Sequence, residues 1–103
     1  MSKKARMDIK QLRTIGHKLK PVVTVAGNGV SEGVVSEIDR ALNQHELIKI
    51  KLAVGDRQAR AVVSEQICEQ TGAEVVQSIG NVILILRRTA EPDPRLSNLL
   101  RPL

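Results

Sequence analysis

The sequence predicts a single α/β domain in the order α-β-α-β-α-β-β, with the strands in a mixed four-stranded sheet beside the helices. Three observations support this class. Apolar residues recur at helical spacing in three segments, four short apolar or alternating runs are typical of strands, and a Gly-Asn pair separates the last two runs. The chain has 103 residues, 42% of them hydrophobic, which suits one domain with one core.

The first helix and the first strand are predicted near the N-terminus. In MDIKQLRTIGHKLKP, Ile9 and Leu12 share one face, and Asp8 precedes them as a candidate N-cap. Gly16 is expected to end or bend this helix. The run PVVTV, residues 21–25, is short, β-branched and apolar, which is typical of a strand covered on both faces or central in a sheet.

The second helix and the second strand follow directly. SEGVVSEIDRALNQ has apolar residues at helical spacing and begins with Ser31 as a candidate N-cap. LIKIKL, residues 47–52, alternates strictly, so that Leu47, Lys49 and Lys51 share one face. We expect the lysines of this strand to face outward.

A third helix and a hairpin complete the pattern. GDRQARAVVSEQICEQTG has Asp56 as its N-cap and Gly72 as its C-cap, and Gly80-Asn81 separates two strands as a tight turn. Strand-helix-strand crossovers are right-handed with few exceptions. The strands that they connect should therefore be parallel, with helices on a shared face, while the hairpin adds an antiparallel strand.

We divide the chain into a domain at residues 1–88, which includes a basic N-terminus, and a C-terminal tail at residues 89–103. The tail contains three of the four prolines and little periodicity, which favours an unpacked segment. Leu96, Leu99 and Leu100 are the residues through which it could instead dock on this chain or on a partner.

The formal net charge of +5 is concentrated at the two ends of the chain. Residues 1–20 carry seven basic groups and one acidic group, whereas residues 21–86 are net acidic and residues 87–103 are net basic. This asymmetry indicates a polyanionic partner, such as nucleic acid or an anionic surface. The chain contains no Phe, Tyr or Trp, which excludes recognition of RNA by stacking bases on aromatic rings.

Catalysis, metal binding and redox chemistry are not indicated, and no cofactor is expected. His17 and His45 have no partner at ligand spacing, and the single cysteine, Cys68, is interpreted as a reduced, partly buried thiol. No apolar run is long enough to span a membrane, and the N-terminus lacks the apolar centre of a signal peptide. We expect a cytoplasmic monomer that is not an enzyme.

A glycine-containing loop, VAGNGVSEG, joins the first strand to the second helix. It matches neither the phosphate loop of ATPases nor the G-x-G-x-x-G dinucleotide fingerprint. The remaining interpretations are a simple turn, or a loop against which a polynucleotide backbone can approach the helix N-terminus.

The segment GHKLKPVVTVAGNGVSEGVVSEIDRALNQHELIKIKL, residues 16–52, closely resembles the YhbY family of bacterial proteins. These are single CRM domains, named for chloroplast RNA splicing and ribosome maturation, and a weaker likeness continues to about residue 88. The resemblance implies a fold similar to the C-terminal domain of translation initiation factor three. It also implies binding of RNA, association with ribosomal RNA in large-subunit precursors, and a role in ribosome assembly.

The family places a GxxG loop after the first strand, and that loop aligns with Ala26-Gly27-Asn28-Gly29. Alanine replaces the first glycine, so a conformation requiring positive φ there would be strained, and we expect the loop to tolerate alanine. Charge, loop and resemblance together predict a surface that contacts RNA phosphates. Its residues are Arg13, Lys18, Lys20, Gly27, Asn28, Gly29, Lys49 and Lys51.

Two alternatives belong to other classes of protein. The first is a protein-interaction module that docks through its basic N-terminus and its apolar C-terminal tail. The second is a small enzyme that uses the glycine loop to hold a phosphorylated metabolite.

Overall fold

The computed structural model describes residues 7–27 and 29–101, and within them it confirms the predicted order of elements. The helices are α1 (Ile9–His17), α2 (Glu32–His45) and α3 (Arg57–Thr71), and the strands are β1 (Pro21–Val25), β2 (Leu47–Leu52), β3 (Glu74–Ile79) and β4 (Val82–Leu86). Strands β1 and β2 are parallel, and β4 is antiparallel to both of its neighbours. The predicted mixed four-stranded sheet is therefore confirmed, with strand order β1-β2-β4-β3.

Helices cover the two faces of the sheet unequally. The side chains of α2 and α3 pack with Ile48, Ile50 and Leu52 of β2 in the larger apolar cluster, so these two helices share one face, as predicted. On the other face, α1 packs through Leu12 against Leu47 and three residues of β3 and β4. Since α1 has only nine residues, it covers part of its face and leaves the rest open.

The predicted helix starts are confirmed by side-chain caps. Asp8 accepts a hydrogen bond from the Gln11 amide at 2.8 Å and forms a complete capping box. The side chains of Ser31 and Asp56 cap α2 and α3 by accepting hydrogen bonds from the backbone amides of Val34 and Ala59. Gly72 ends α3 with a φ of 76°, a backbone conformation that glycine adopts without strain.

Gly16 does not end α1, which was one of the two roles expected for it. The helix continues to His17, and Gly16 is buried within it against the side chain of Leu84. A Cβ atom at this position would lie 2.6 Å from Leu84 Cδ2. Glycine therefore suits the close approach of α1 to β4, because a Cβ atom there would force the Leu84 side chain to move.

Strand β1 is an edge strand, which corrects the expectation that it is central or covered on both faces. Its residues alternate, with Val23 and Val25 buried, whereas Val22 is 48% exposed and Thr24 also faces solvent. Pro21 opens the strand, and because proline has no N–H to donate, the start of an edge strand is a position that tolerates it.

Residues after β4 pack against the domain, so the expectation of an unpacked tail was wrong. Ser97 is fully buried and donates its hydroxyl to Oε1 of Glu46 at 2.6 Å, while the Thr89 amide donates to Oε2 at 2.7 Å. Glu46, 3% exposed, follows α2 with a φ of 64°. Of the three leucines in the docking alternative, Leu99 packs against the apolar cluster beneath α1, whereas Leu96 and Leu100 are exposed.

Cys68 is a free, half-buried thiol, as the sequence indicated. Burial raises the pKa of this thiol, and the nearby carboxylate of Glu74 raises it further. The fraction of Cys68 that is thiolate at neutral pH is therefore smaller than for an exposed cysteine.

Candidate nucleic-acid interface

A basic pocket of about 300 Å³ opens beside the N-terminal end of β1. Three of the predicted lysines meet there: Lys18 and Lys20 come from the connection between α1 and β1, and Lys49 comes from β2. The predicted outward direction of the β2 lysines is confirmed, with Lys49 half-buried at the pocket and Lys51 exposed. The strand pairing explains the grouping, because Pro21 is the register partner of Lys49.

Three polar residues that the sequence did not suggest for this site also line the pocket: His45, Asn98 and Arg101. His45 Nδ1 lies 2.8 Å from the carbonyl oxygen of Leu96, and since a carbonyl oxygen only accepts, Nδ1 carries a proton. Within the described part of the chain, no carboxylate lines this pocket. The pocket therefore concentrates positive charge without internal neutralisation.

Two arginines from the basic C-terminal region are already engaged within the protein. Arg87 forms an ion pair with Asp39 at 2.7 Å. Arg95 hydrogen bonds to Asp93, and this side-chain contact holds the pKa of that carboxyl below its ordinary value. The net charge of residues 87–103 thus overstates the cationic groups available to a partner.

The glycine loop forms a closed turn at the opposite end of β1. The Gly29 amide donates to the Ala26 carbonyl at 2.9 Å, and Gly29 has a φ of 81°. Glu46 is the only described non-glycine residue with positive φ, so Ala26 carries no such strain. Gly27 is exposed, has no positive φ, and has open space where a side chain would project. Asn28, predicted as a site residue, lies outside the described residues.

The structure does not bring the loop and the Lys18–Lys20 pair together, because they lie at opposite ends of β1. Four residue steps of about 3.3 Å separate Pro21 from Val25, or roughly 13 Å. Lys49 and Lys51 bridge this distance on the neighbouring strand, with Lys51 in register with Thr24 near the loop. The four predicted lysines thus extend from the basic pocket along β2 toward the loop, beside the edge strand β1.

A second hollow, of about 240 Å³, lies on the part of the sheet that α1 leaves open. Its walls are mainly aliphatic, and Ile79 at its rim is 61% exposed. Lys49 lines both this hollow and the basic pocket. Arg13 is exposed on α1, one helical turn before His17 at the border of this hollow. The lining residues are His17, Pro21, Lys49, Gln77, Ile79, Val82 and Leu84.

Other kinds of site find little support in the described residues. None of their His, Cys, Asp and Glu side chains gather in groups of three or more able to hold a metal ion. No helix among residues 7–27 and 29–101 combines the length and apolar character needed to cross a membrane.

The fold and this surface define a small mixed α/β domain with a cationic sheet edge. Residues 5–87 match the CRS1/YhbY (CRM) domain, and the chain belongs to that family. It is 49% identical over 92 residues to a probable RNA-binding protein of Pseudomonas aeruginosa, covering 89% of this chain and 88% of the relative. An RNA-binding protein of Haemophilus influenzae is 44% identical over 80 residues, covering 78% and 81% of the two chains.

A solved structure has the same fold. It is the solution structure of a hypothetical protein of Staphylococcus aureus, described as a candidate RNA-binding protein. The TM-score is 0.72 at 30% identity, and the match covers 81% of this chain and 86% of that one.

Proposed function

We propose that this protein binds RNA by contacting backbone phosphates along a basic stripe, defined as Lys18, Lys20, Lys49 and Lys51. The glycine loop lies at one end of the stripe and the basic pocket at the other. RNA lying along β1 would pass Lys18 and Lys20 at one end of the strand and Lys49 and Lys51 beside it. It would then reach the glycine loop, where few side chains would obstruct it. Arg13, Gly27, Asn28 and Gly29 complete the proposed interface.

The observation that carries this proposal is the alignment of four lysines, three exposed and one half-buried, beside the edge strand β1. Phosphate contacts from lysine supply affinity but carry little sequence information. Because the chain has no aromatic residue, bases would pack on the aliphatic hollow around Ile79 and Val82 instead of stacking on rings. The relatives named as RNA-binding proteins support a polynucleotide partner over a small metabolite.

The proposed RNA is ribosomal RNA in precursors of the large subunit, where the protein would assist assembly as a cytoplasmic monomer. It acts by binding and not by catalysis. This part of the proposal rests on the resemblance of residues 16–52 to the YhbY family, with residues 1–88 as the RNA-binding domain.

Sedimentation of a cell lysate tests the cellular part of the proposal. We expect the protein to travel with immature large-subunit particles and to shift to the top of the gradient after ribonuclease treatment. A protein-docking module would instead keep its partner when RNA is removed. Migration that ribonuclease leaves unchanged would contradict the proposed RNA target.

The role of the loop is tested by Gly27→Ala. A Cβ atom there meets nothing within 4 Å and φ is not positive, so folding should be unchanged. If an RNA backbone lies against the loop, the added methyl group should weaken binding severalfold, measured by fluorescence anisotropy with single-stranded RNA. Gly33→Ala, in the first turn of α2, is the matched control. Equal affinities for both variants and the wild type would contradict the proposal that the loop contacts RNA.

A further inference from the structure

The C-terminal segment, defined as residues 93–101, is held firmly where the basic pocket forms. The buried Ser97 hydroxyl donates to Glu46, as described above. In addition, the backbone N–H of Asn98 donates to the carbonyl oxygen of His45 at 2.9 Å. The ring Nδ1–H of His45 donates a hydrogen bond to the carbonyl oxygen of Leu96. The segment is thereby fixed to the end of α2, and its position is part of the fold.

Within this segment, one arginine is oriented by a chain of hydrogen bonds. Asn98, which is buried, donates its side-chain N–H to the carbonyl oxygen of Leu47 at 2.7 Å. Its Oδ1 accepts from Nε of Arg101 at 3.0 Å, and the Arg101 amide donates to the Ser97 carbonyl at 2.9 Å. Asn98 thus couples the central strand to the direction of the Arg101 side chain.

The two terminal nitrogens of this guanidinium form no hydrogen bond or ion pair with the described residues. Arg101 lines the basic pocket together with Lys18, Lys20 and Lys49. A planar guanidinium that presents two terminal NH2 groups matches the oxygens of a phosphodiester, which it binds in a bidentate manner. Four cations at one pocket would repel each other unless an anion binds between them.

We propose that Arg101 binds an RNA backbone phosphate in this pocket, so that the C-terminal segment is part of the RNA-binding surface. The proposal rests on the RNA binding proposed above and adds a residue outside the family match, which ends at residue 87. Asn98 is a positioning residue, since it acts by orienting Arg101.

Anisotropy titrations with a labelled, unstructured single-stranded RNA test this proposal. One phosphate contact on a single strand contributes about 0.7 to the slope of log affinity against log salt. Arg101→Gln should therefore flatten the slope by about 0.7 and weaken binding about fourfold at ~0.15 M salt and about eightfold at ~0.05 M. Arg101→Lys should recover part of this loss because it keeps the charge.

Arg95→Gln is the matched control, since it removes one positive charge from the same segment at a residue already paired with Asp93. It should bind as the wild type does. Thermal melts of all three variants confirm folding.

The outcomes are distinguishable. If the wild type binds RNA and Arg101→Gln behaves like Arg95→Gln, the role of Arg101 is refuted and the proposed function stands. If the wild type does not bind RNA at low salt, the proposed function fails, and the role of Arg101 fails with it.

Discussion

The basic stripe makes a quantitative prediction about salt. Each phosphate neutralised on single-stranded RNA contributes about −0.7 to the slope of log affinity against log salt. The four lysines of the stripe and Arg101 together give a slope of about −3.5, and the dissociation constant should rise about 130-fold between ~50 and ~200 mM salt. The Lys18→Gln/Lys20→Gln variant should have a slope of about −2.1 and a rise of about 18-fold.

Fluorescence anisotropy at four salt concentrations measures both slopes on the same RNA. Lys18 and Lys20 are exposed, so their replacement should leave the unfolding transition unchanged. The control is Arg40→Gln, which removes one charge from α2 at an exposed position two residues after the buried Ile38, on the outward side of the helix. Its slope should match the wild type.

The affinity loss should be equal for RNAs of different sequence, because phosphate contacts do not read bases. Two results would refute the reasoning. One is an unchanged slope in the double variant, and the other is an equal change per charge in Arg40→Gln, which would indicate a dependence on net charge alone.

The remaining predictions concern the packing of the domain. In Gly16→Ala, the clash with Leu84 should cost about 1–3 kcal/mol, offset by about 1 kcal/mol of helix propensity, for a net loss of about 1 kcal/mol in urea unfolding. Gly33→Ala, whose Cβ would make only an ordinary contact with the Ser31 hydroxyl at 3.9 Å, should instead gain about 0.5 kcal/mol, and a gain at both positions would disprove the close approach of α1 to β4. Because burial and then Glu74 raise the pKa of Cys68, its alkylation by iodoacetamide should be slower at pH 8 than that of a free cysteine and should accelerate as pH rises. In Glu74→Gln the pKa should fall and the reaction at pH 8 should be faster, whereas equal rates would mean that the carboxylate has no effect.

Features of the fold that depend on neighbouring residues could be predicted from the sequence. The caps at Asp8, Ser31 and Asp56 and the turn at Gly80 are local, because each is fixed by residues within a few positions of itself. Strand β1 was misplaced because a short apolar run fits an edge strand with one covered face as well as a central strand.

Features that depend on distant residues could not be predicted. The packed C-terminal segment is held by Glu46, which is about fifty residues away along the chain, and nothing local in the segment indicates this partner. For the same reason the lysines of the site could be proposed from sequence, whereas Arg101 could not.

The order of strands in the sheet also has a consequence for synthesis on the ribosome. Strand β4 is the last strand to be made, yet it lies between β2 and β3, where it pairs with both. Until residues 82–86 have left the exit tunnel, β2 has an unpaired apolar edge and β3 has no partner strand. The nascent chain therefore cannot fold stepwise from its N-terminus. It must keep those edges from associating with other chains until the final hairpin forms and closes the sheet in one late event.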